Sequence, residues 1–320
     1  MVLLLTGGGG HVGEGVAKAA AKRGLIVVAT YRGAKPPATA CELGDTVHWV
    51  ACDLTDKDSV KKLATAYDIQ QCIHCAAVPN EAFARPDPLG AFEANVSATA
   101  NLLEVARLND WKRFILVSTG SVFQLRSMKG DAILENERPQ PQDIYSTTKT
   151  SAEMLCRMYR TEYGISASVV RISWVYGPPI IAHTLTRGPI PSFLIRAFKG
   201  EAIDEGGSDF AVSFTFVEDV AAGLLAAAKA KVLNHPIYHL GPGRNISLGE
   251  AAAAIKMAVP EASIKLASGT EPWTKFTALR DPLGGTNLFE DTGWQPAFSI
   301  NKGVQLYADW LRKRSELWSN

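Results

Sequence analysis

The chain has 320 residues, is 47% hydrophobic and carries a formal net charge of +1, which is ample for a buried core and suggests one large or two intermediate domains. A near-neutral balance without runs of Lys or Arg excludes a nucleic-acid footprint and a polybasic membrane patch, so small-molecule chemistry is the expectation. The opening Met1-Val2-Leu3-Leu4-Leu5-Thr6 is apolar but too short for a signal peptide or a membrane span, and no basic flank precedes it, so a soluble, cytoplasmic protein is expected.

Residues 2–5 read as a short buried parallel strand. Thr6-Gly7-Gly8-Gly9-Gly10-His11-Val12-Gly13 follows directly, and residues 14–23 look helical. Strand, glycine turn and helix in that order aim backbone N–H groups and the positive end of a helix at a pyrophosphate. Gly7, Gly10, His11, Val12 and Gly13 are therefore candidates for holding a dinucleotide. A second strand, 25–30, ends in Tyr31-Arg32-Gly33. NAD enzymes place a carboxylate there for the ribose 2′-hydroxyl, whereas Arg32 can pair with a 2′-phosphate. NADP is the expected cofactor on this reading, and NAD the alternative.

A third strand, 46–52, delivers Asp53-Leu54, and a fourth, 71–75, delivers Ala76-Ala77. The fourth contains Cys72-Ile73-His74-Cys75, which has no second cysteine pair and no following His. It reads as buried strand, and no metal site is expected. The five cysteines are odd in number and scattered, unlike a secreted disulfide framework. A helix over 88–108 carries Asn95, and a fifth strand, 113–117, ends in Ser118-Thr119-Gly120-Ser121. A hydroxyl at a strand's carboxyl end is well placed, because open α/β sheets bind ligands outside those ends. Tyr145-Ser146-Thr147-Thr148-Lys149 opens a further helix, where the four-residue spacing puts phenol and ammonium on one face. A fixed cation near a phenol favours the phenolate, so the pair is read as a general acid/base, with Lys149 lowering the tyrosine's pKa.

The glycine spacing Gly7, Gly10, Gly13, the Ser118-Thr119 strand end and the Tyr145/Lys149 pair together resemble the extended short-chain dehydrogenase/reductase family, of the NAD-dependent epimerase/dehydratase type, over nearly the whole chain. The resemblance implies that Asp53 and Leu54 sit against the adenine, that Ala76 and Ala77 lie beneath the nicotinamide, and that Asn95 supports the cofactor region. It also implies that Thr119 orients the substrate oxygen while Tyr145 exchanges its proton during hydride transfer and Lys149 holds the nicotinamide ribose. A homodimer is implied through the helix before the fifth strand and the Tyr145 helix, with Phe92, Val96, Leu103 and Met154 as candidate contacts. Dehydratases of the family carry Asp-Glu directly after that Thr, whereas Gly120-Ser121 stands here, which argues against dehydration.

A sixth strand, 167–172, leads into Ser173-Trp174-Val175-Tyr176-Gly177, and a Pro/Gly cluster then opens a lid-like segment with His183, Thr184 and Arg187 as polar residues that can reach a substrate. Segments 214–220 and 292–296 also match the family. The expected fold is a doubly wound parallel, Rossmann-type sheet over 1–175, rejoined by roughly 212–242, with a small substrate-binding part from 176–211 and 243–320. Two departures stand out by spacing: Trp174 where sugar-nucleotide enzymes commonly have Asn, and Val212 where they have a diphosphate-binding Arg, with Arg280 a candidate replacement. The implied function is oxidoreduction or epimerisation at a secondary alcohol of a sugar or sugar-derived small molecule. A nucleotide-sugar 4-epimerase is one alternative, and a non-catalytic NADP-sensing regulator, which would typically lack the Tyr/Lys pair, is another.

Overall fold

The structure is a computed structural model and describes residues 2–181 and 185–318. Its centre is a seven-stranded sheet, formed by β1 (Val2–Thr6), β2 (Val27–Tyr31), β3 (Val47–Ala51), β4 (Ile69–His74), β5 (Arg113–Thr119), β6 (Ala167–Ile172) and β7 (Ile237–Leu240). The order across the sheet is β7-β6-β5-β4-β1-β2-β3, with every neighbouring pair parallel. The strands are short and, apart from the edge strand β3, mostly buried, because helices cover both faces. Leu4, Val28, Cys72, Leu116 and Val169 pack toward one side, and Leu3, Leu5, Ile73, Ile115 and Val170 toward the other. The chain winds outward from β1 to β3 on one side and from β4 to β7 on the other. The reversal between β1 and β4 opens a crevice at their carboxyl ends, where ligands of such sheets bind.

Three elements differ from the expectations. The first helix begins at His11, with Gly10 as an N-cap that offers no side-chain cap. The predicted helix over 88–108 is broken into Pro88–Phe92, a π turn Glu93–Ser97 and Ala98–Leu108, and the turn carries Asn95. β7 was not foreseen. The Tyr145 helix, Ile144–Tyr163, begins in a capping box between Asp143 and Ser146 and ends at Gly164, whose φ of 68° suits glycine.

A third hydrophobic cluster lies outside the sheet. Phe193, Leu194, Phe210, Val212, Ile255, Val304 and Tyr307 belong to it, contributed by helices Pro189–Phe198, Leu248–Ala258 and Ile300–Arg312. Small ribbons tie these segments together, among them Ala211–Val212 paired antiparallel with Ile246–Ser247. Val212 is 2% exposed and belongs to this core.

Candidate active site

Two cavities meet at the switch point between β1 and β4. The first, about 350 Å³, is walled by the glycine turn, the ends of β2 and β3, and residues 75–78 after β4. The second, about 480 Å³, continues from the glycine turn past Thr119 and Tyr145 to a wall of Trp174, Trp273 and Phe276.

The glycine turn is shaped by close approach. A Cβ on Gly13 would stand 2.0 Å from the Gly7 carbonyl oxygen, and one on Gly7 would stand 2.7 Å from the backbone of Ala76. Gly7 also has a φ of 65°, so a side chain is excluded there twice over. The uncapped start of the helix at Gly10 leaves its first-turn N–H groups to a ligand in the cavity. An elongated diphosphate with a flat group at each end fits a groove bare of side chains at its middle and flanked by Tyr31, Arg32, Asp53 and Leu54 on one side and Ala76 and Ala77 on the other.

Gly7, Gly10, Tyr31, Arg32, Asp53, Leu54, Ala76 and Ala77 line the first cavity, while His11, Val12, Gly13, Thr119 and Tyr145 line the second. Asn95 and Lys149 line neither cavity among the described residues. Asn95 is a clasp: its Oδ1 accepts from Val78 N at 2.8 Å, and its Nδ2 donates to Thr148 Oγ1 at 2.9 Å and to Val78 O at 3.3 Å. With both ends engaged, it ties the loop after β4, whose Val78 lines the first cavity, to the Tyr145 helix. His183 and Thr184 lie outside the described residues, while Arg187 lines the second cavity.

The Tyr145 phenol and the Thr119 hydroxyl face the same cavity, and Thr119 Oγ1 accepts from Ser121 N at 3.0 Å. Lys149 Nζ donates to the Val117 carbonyl at 2.8 Å, so its ammonium is drawn to the strand rather than the cavity. Burial lowers its pKa to about 8, against the carboxylate of Glu153 one turn on. Burial raises Tyr145 to about 12, and the Thr119 hydroxyl and the guanidinium of Arg280 pull it down. In the ligand-free fold, Tyr145 is therefore a proton donor at neutral pH.

Glu153 anchors this helix. It is 2% exposed, and Arg171 on β6 is fully buried. Glu153 Oε1 accepts from Ser118 Oγ at 2.6 Å and from Arg171 Nε at 3.0 Å, and its Oε2 accepts from Arg171 Nη2 at 2.7 Å. Beneath the glycine turn, Thr6 Oγ1 and His74 Nδ1 share a hydrogen bond at 2.6 Å. Burial lowers His74 to about 3 and, with Arg187 adding to the effect, His11 to about 4, so both rings are neutral near pH 7.

Several cavity residues, Lys35, Trp273, Phe276 and Thr277 among them, carried no sequence signal, whereas Arg280 was a candidate cation and Ser121 part of the strand-end motif. Lys35 joins Arg32 at the first cavity. Ser121, Trp273, Phe276, Thr277 and Arg280 close the second, mostly from a stretch without helix or regular strand between residues 267 and 286. Among the described residues, no group of His, Cys, Asp and Glu is arranged to hold a metal, no helix is long and apolar enough to cross a membrane, and all five cysteines are free.

The profile of the NAD dependent epimerase/dehydratase family matches residues 3–241. A UDP-glucuronate 4-epimerase of Thermodesulfobacterium geofontis is 26% identical over 278 residues, spanning 83% of this chain and 79% of the relative. Among solved structures, a UDP-glucose 4-epimerase of Thermotoga maritima with UDP-glucose superposes with a TM-score of 0.87 at 23% identity, covering 98% of this chain and 100% of that one. A UDP-glucose 4-epimerase of Thermus thermophilus in complex with NAD gives 0.83 at 24%, covering 98% and 99%.

Proposed function

Since the chain belongs to the NAD dependent epimerase/dehydratase family, and so to the extended short-chain dehydrogenases/reductases, we propose that it is a pyridine-dinucleotide-dependent oxidoreductase or epimerase acting on a secondary alcohol of a sugar or sugar-derived small molecule. The observation that carries this reading is the pairing of Tyr145 and Thr119 in one cavity whose far wall is the glycine turn. When bound, the dinucleotide supplies the two-electron acceptor or donor and, in its oxidised form, a positively charged ring.

Tyr145 moves the proton at the substrate oxygen. Protonated at neutral pH, it carries the proton a carbonyl needs, but its raised pKa makes it a weak acid and a phenolate harder to form, so both directions of transfer require added positive charge beside the ring. Thr119 steadies the same oxygen. Lys149 donates to Val117 O in the ligand-free fold, and on this reading its ammonium turns from the strand to the nicotinamide ribose when the dinucleotide binds. Residues 176–211 and 243–320 supply the substrate-side wall on this reading, through Pro179, Trp273 and Arg280 among others.

For the cofactor, the reading is NADP over NAD. Arg32 and Lys35 both line the first cavity, and no carboxylate follows β2. The Thermus thermophilus neighbour was solved with NAD, which makes a direct titration of both the deciding measurement. The reading also includes a homodimer. Leu89, Phe92, Met154 and Met158 are 69%, 47%, 64% and 39% exposed on the helices concerned, whereas Val96 and Leu103, at 8% and 0%, belong to the interior and drop out as contacts.

A second reading, a nucleotide-sugar 4-epimerase, is favoured by the relatives and by two arginines, Arg187 and Arg280, on the second cavity. The test is turnover on free sugars, sugar acids and sugar nucleotides, with reduced cofactor and product stereochemistry followed separately. Tyr145→Phe is expected to keep cofactor affinity and lose turnover by about 10²- to 10⁴-fold, and near-normal turnover in that variant would sink the reading.

A further inference from the structure

Arg280 is the cation that acts on the Tyr145 phenol, and the proposed proton transfer does not employ it. It is 6% exposed and lines the cavity with Tyr145, Thr119 and Ser121. Its polar contacts are neutral and long: Nη2 to Thr277 Oγ1 at 3.2 Å and to Ser121 Oγ at 3.4 Å, and Nη1 to Gln124 Oε1 at 3.5 Å. Its Nε has no partner among the described residues. Other buried arginines nearby are committed to carboxylates, Arg171 to Glu153 and Arg126 to Glu137 and Asp281. Asp281, next in the chain, turns away to Arg126 and to the N–H groups of Lys129 and Gly130. The Asp143 carboxylate acts on Arg280 through space, but its oxygens accept from Ser146 N and Gln124 Nε2, and among the described residues no carboxylate forms an ion pair with Arg280. A buried guanidinium without a direct ion-pair partner is costly, so its free Nε edge suits an anion that arrives. No Asp or Glu lines this cavity among the described residues.

We propose that Arg280 receives a carboxylate carried by the substrate close to its reacting carbon, so that the substrate is a sugar acid or a related hydroxy acid. The inference rests on the function proposed above and narrows its substrate class. The planar fork matches a carboxylate's two oxygens, and the Ser121 and Thr277 hydroxyls stand beside it as further donors. Ser121 is two residues from Thr119, and the Arg280 charge acts on the Tyr145 phenol, so a group seated there lies close to the transferred proton. Arg187 acts instead on His11, at the glycine turn, and lies over the Phe83 ring, its guanidinium carbon 5.4 Å from the centroid. The two arginines act on different groups, Arg187 on His11 and Arg280 on Tyr145.

The experiment is calorimetric titration of the NADP-loaded protein with sodium D-glucuronate and sodium D-gluconate, against D-glucose, D-glucuronamide and UDP. At least one carboxylate is expected to bind while its neutral counterpart does not. Arg280→Gln should weaken that binding about 10- to 100-fold, the weight of a charge-assisted pair, with cofactor affinity unchanged. Arg280→Lys, which keeps the charge and loses the fork, should weaken it less, and it carries the test alone if the glutamine variant does not fold. Equal binding of D-glucose and D-gluconate, no carboxylate binding at millimolar concentration, or UDP binding that depends on Arg280 would each overturn the proposal. Tyr145→Phe should still bind the carboxylate, so a failure of the proton-transfer reading, seen as retained turnover in that variant, is distinct from a failure here.

Discussion

Replacing Glu153 by Gln removes one negative charge from the base of the Tyr145 helix while keeping its shape. The carboxylate accepts from Ser118 and twice from Arg171, and the amide that replaces it turns an N–H₂ donor toward guanidinium donors. Arg171, fully buried, keeps a distant His239 contact at 3.3 Å and the Phe123 face, its guanidinium carbon 4.9 Å from the ring centroid. Neither neutralises it. Breaking a buried pair from one side costs about 3–5 kcal/mol. A 320-residue chain has an unfolding entropy of about 0.7 kcal/mol/K, so the melting temperature should fall by about 5–7 °C. The assay is circular dichroism melting at pH 7 of the parent, Glu153→Gln, and the double variant Glu153→Met/Arg171→Met. Removing both charges should recover much of the loss, since no charge is then left unpaired. A single variant melting within about 1 °C of the parent would refute the reasoning, as would a double variant worse than the single by the full cost again.

Lys149→Met should lose turnover yet melt a few degrees higher at pH 7. The lysine's folded pKa, about 8, lies below its ordinary value, so keeping it protonated destabilises the fold fully below pH 8. That penalty fades as pH rises toward about 10.5, so the gap between variant and parent should close over that range, and a pH-independent gap would contradict the assignment. Arg32→Ala should erase any preference for NADP over NAD in paired titrations, and tighter NAD binding by the parent would refute the preference itself. Met154→Asp places a charge on an exposed apolar face and should shift sedimentation from dimer to monomer at micromolar concentration, whereas a parent that sediments as a monomer would dispose of the dimer.

The parts legible in the sequence are those set by local chemistry. β1, the glycine turn and the first helix follow from an apolar run, glycines where backbones touch, and an alanine-rich helix. Ser118-Thr119 and the Tyr145 helix follow from a strand end and a cap. What escaped depends on distant packing. β7 is four residues long with His239 in it, and only its place beside β6 makes it a strand. Asn95 interrupts a helix because it must reach Val78 and Thr148. The spacing of Tyr145 and Lys149 is right for a shared face, yet Val117 O takes the ammonium and Arg280, from a segment with no periodicity, supplies the charge that acts on the phenol.

Gly7, Gly9, Gly10, Cys75 and Ala77 belong to both cavities, so whatever fills the first becomes floor for the second. A substrate arriving at the empty protein finds its pocket open at the bottom, and one already seated obstructs departure beneath it. For net oxidoreduction the expected kinetic signature is compulsory order, dinucleotide on first and off last, with product inhibition competitive toward the cofactor only for its opposite redox form; an epimerase would keep the dinucleotide through the cycle and show no such pattern.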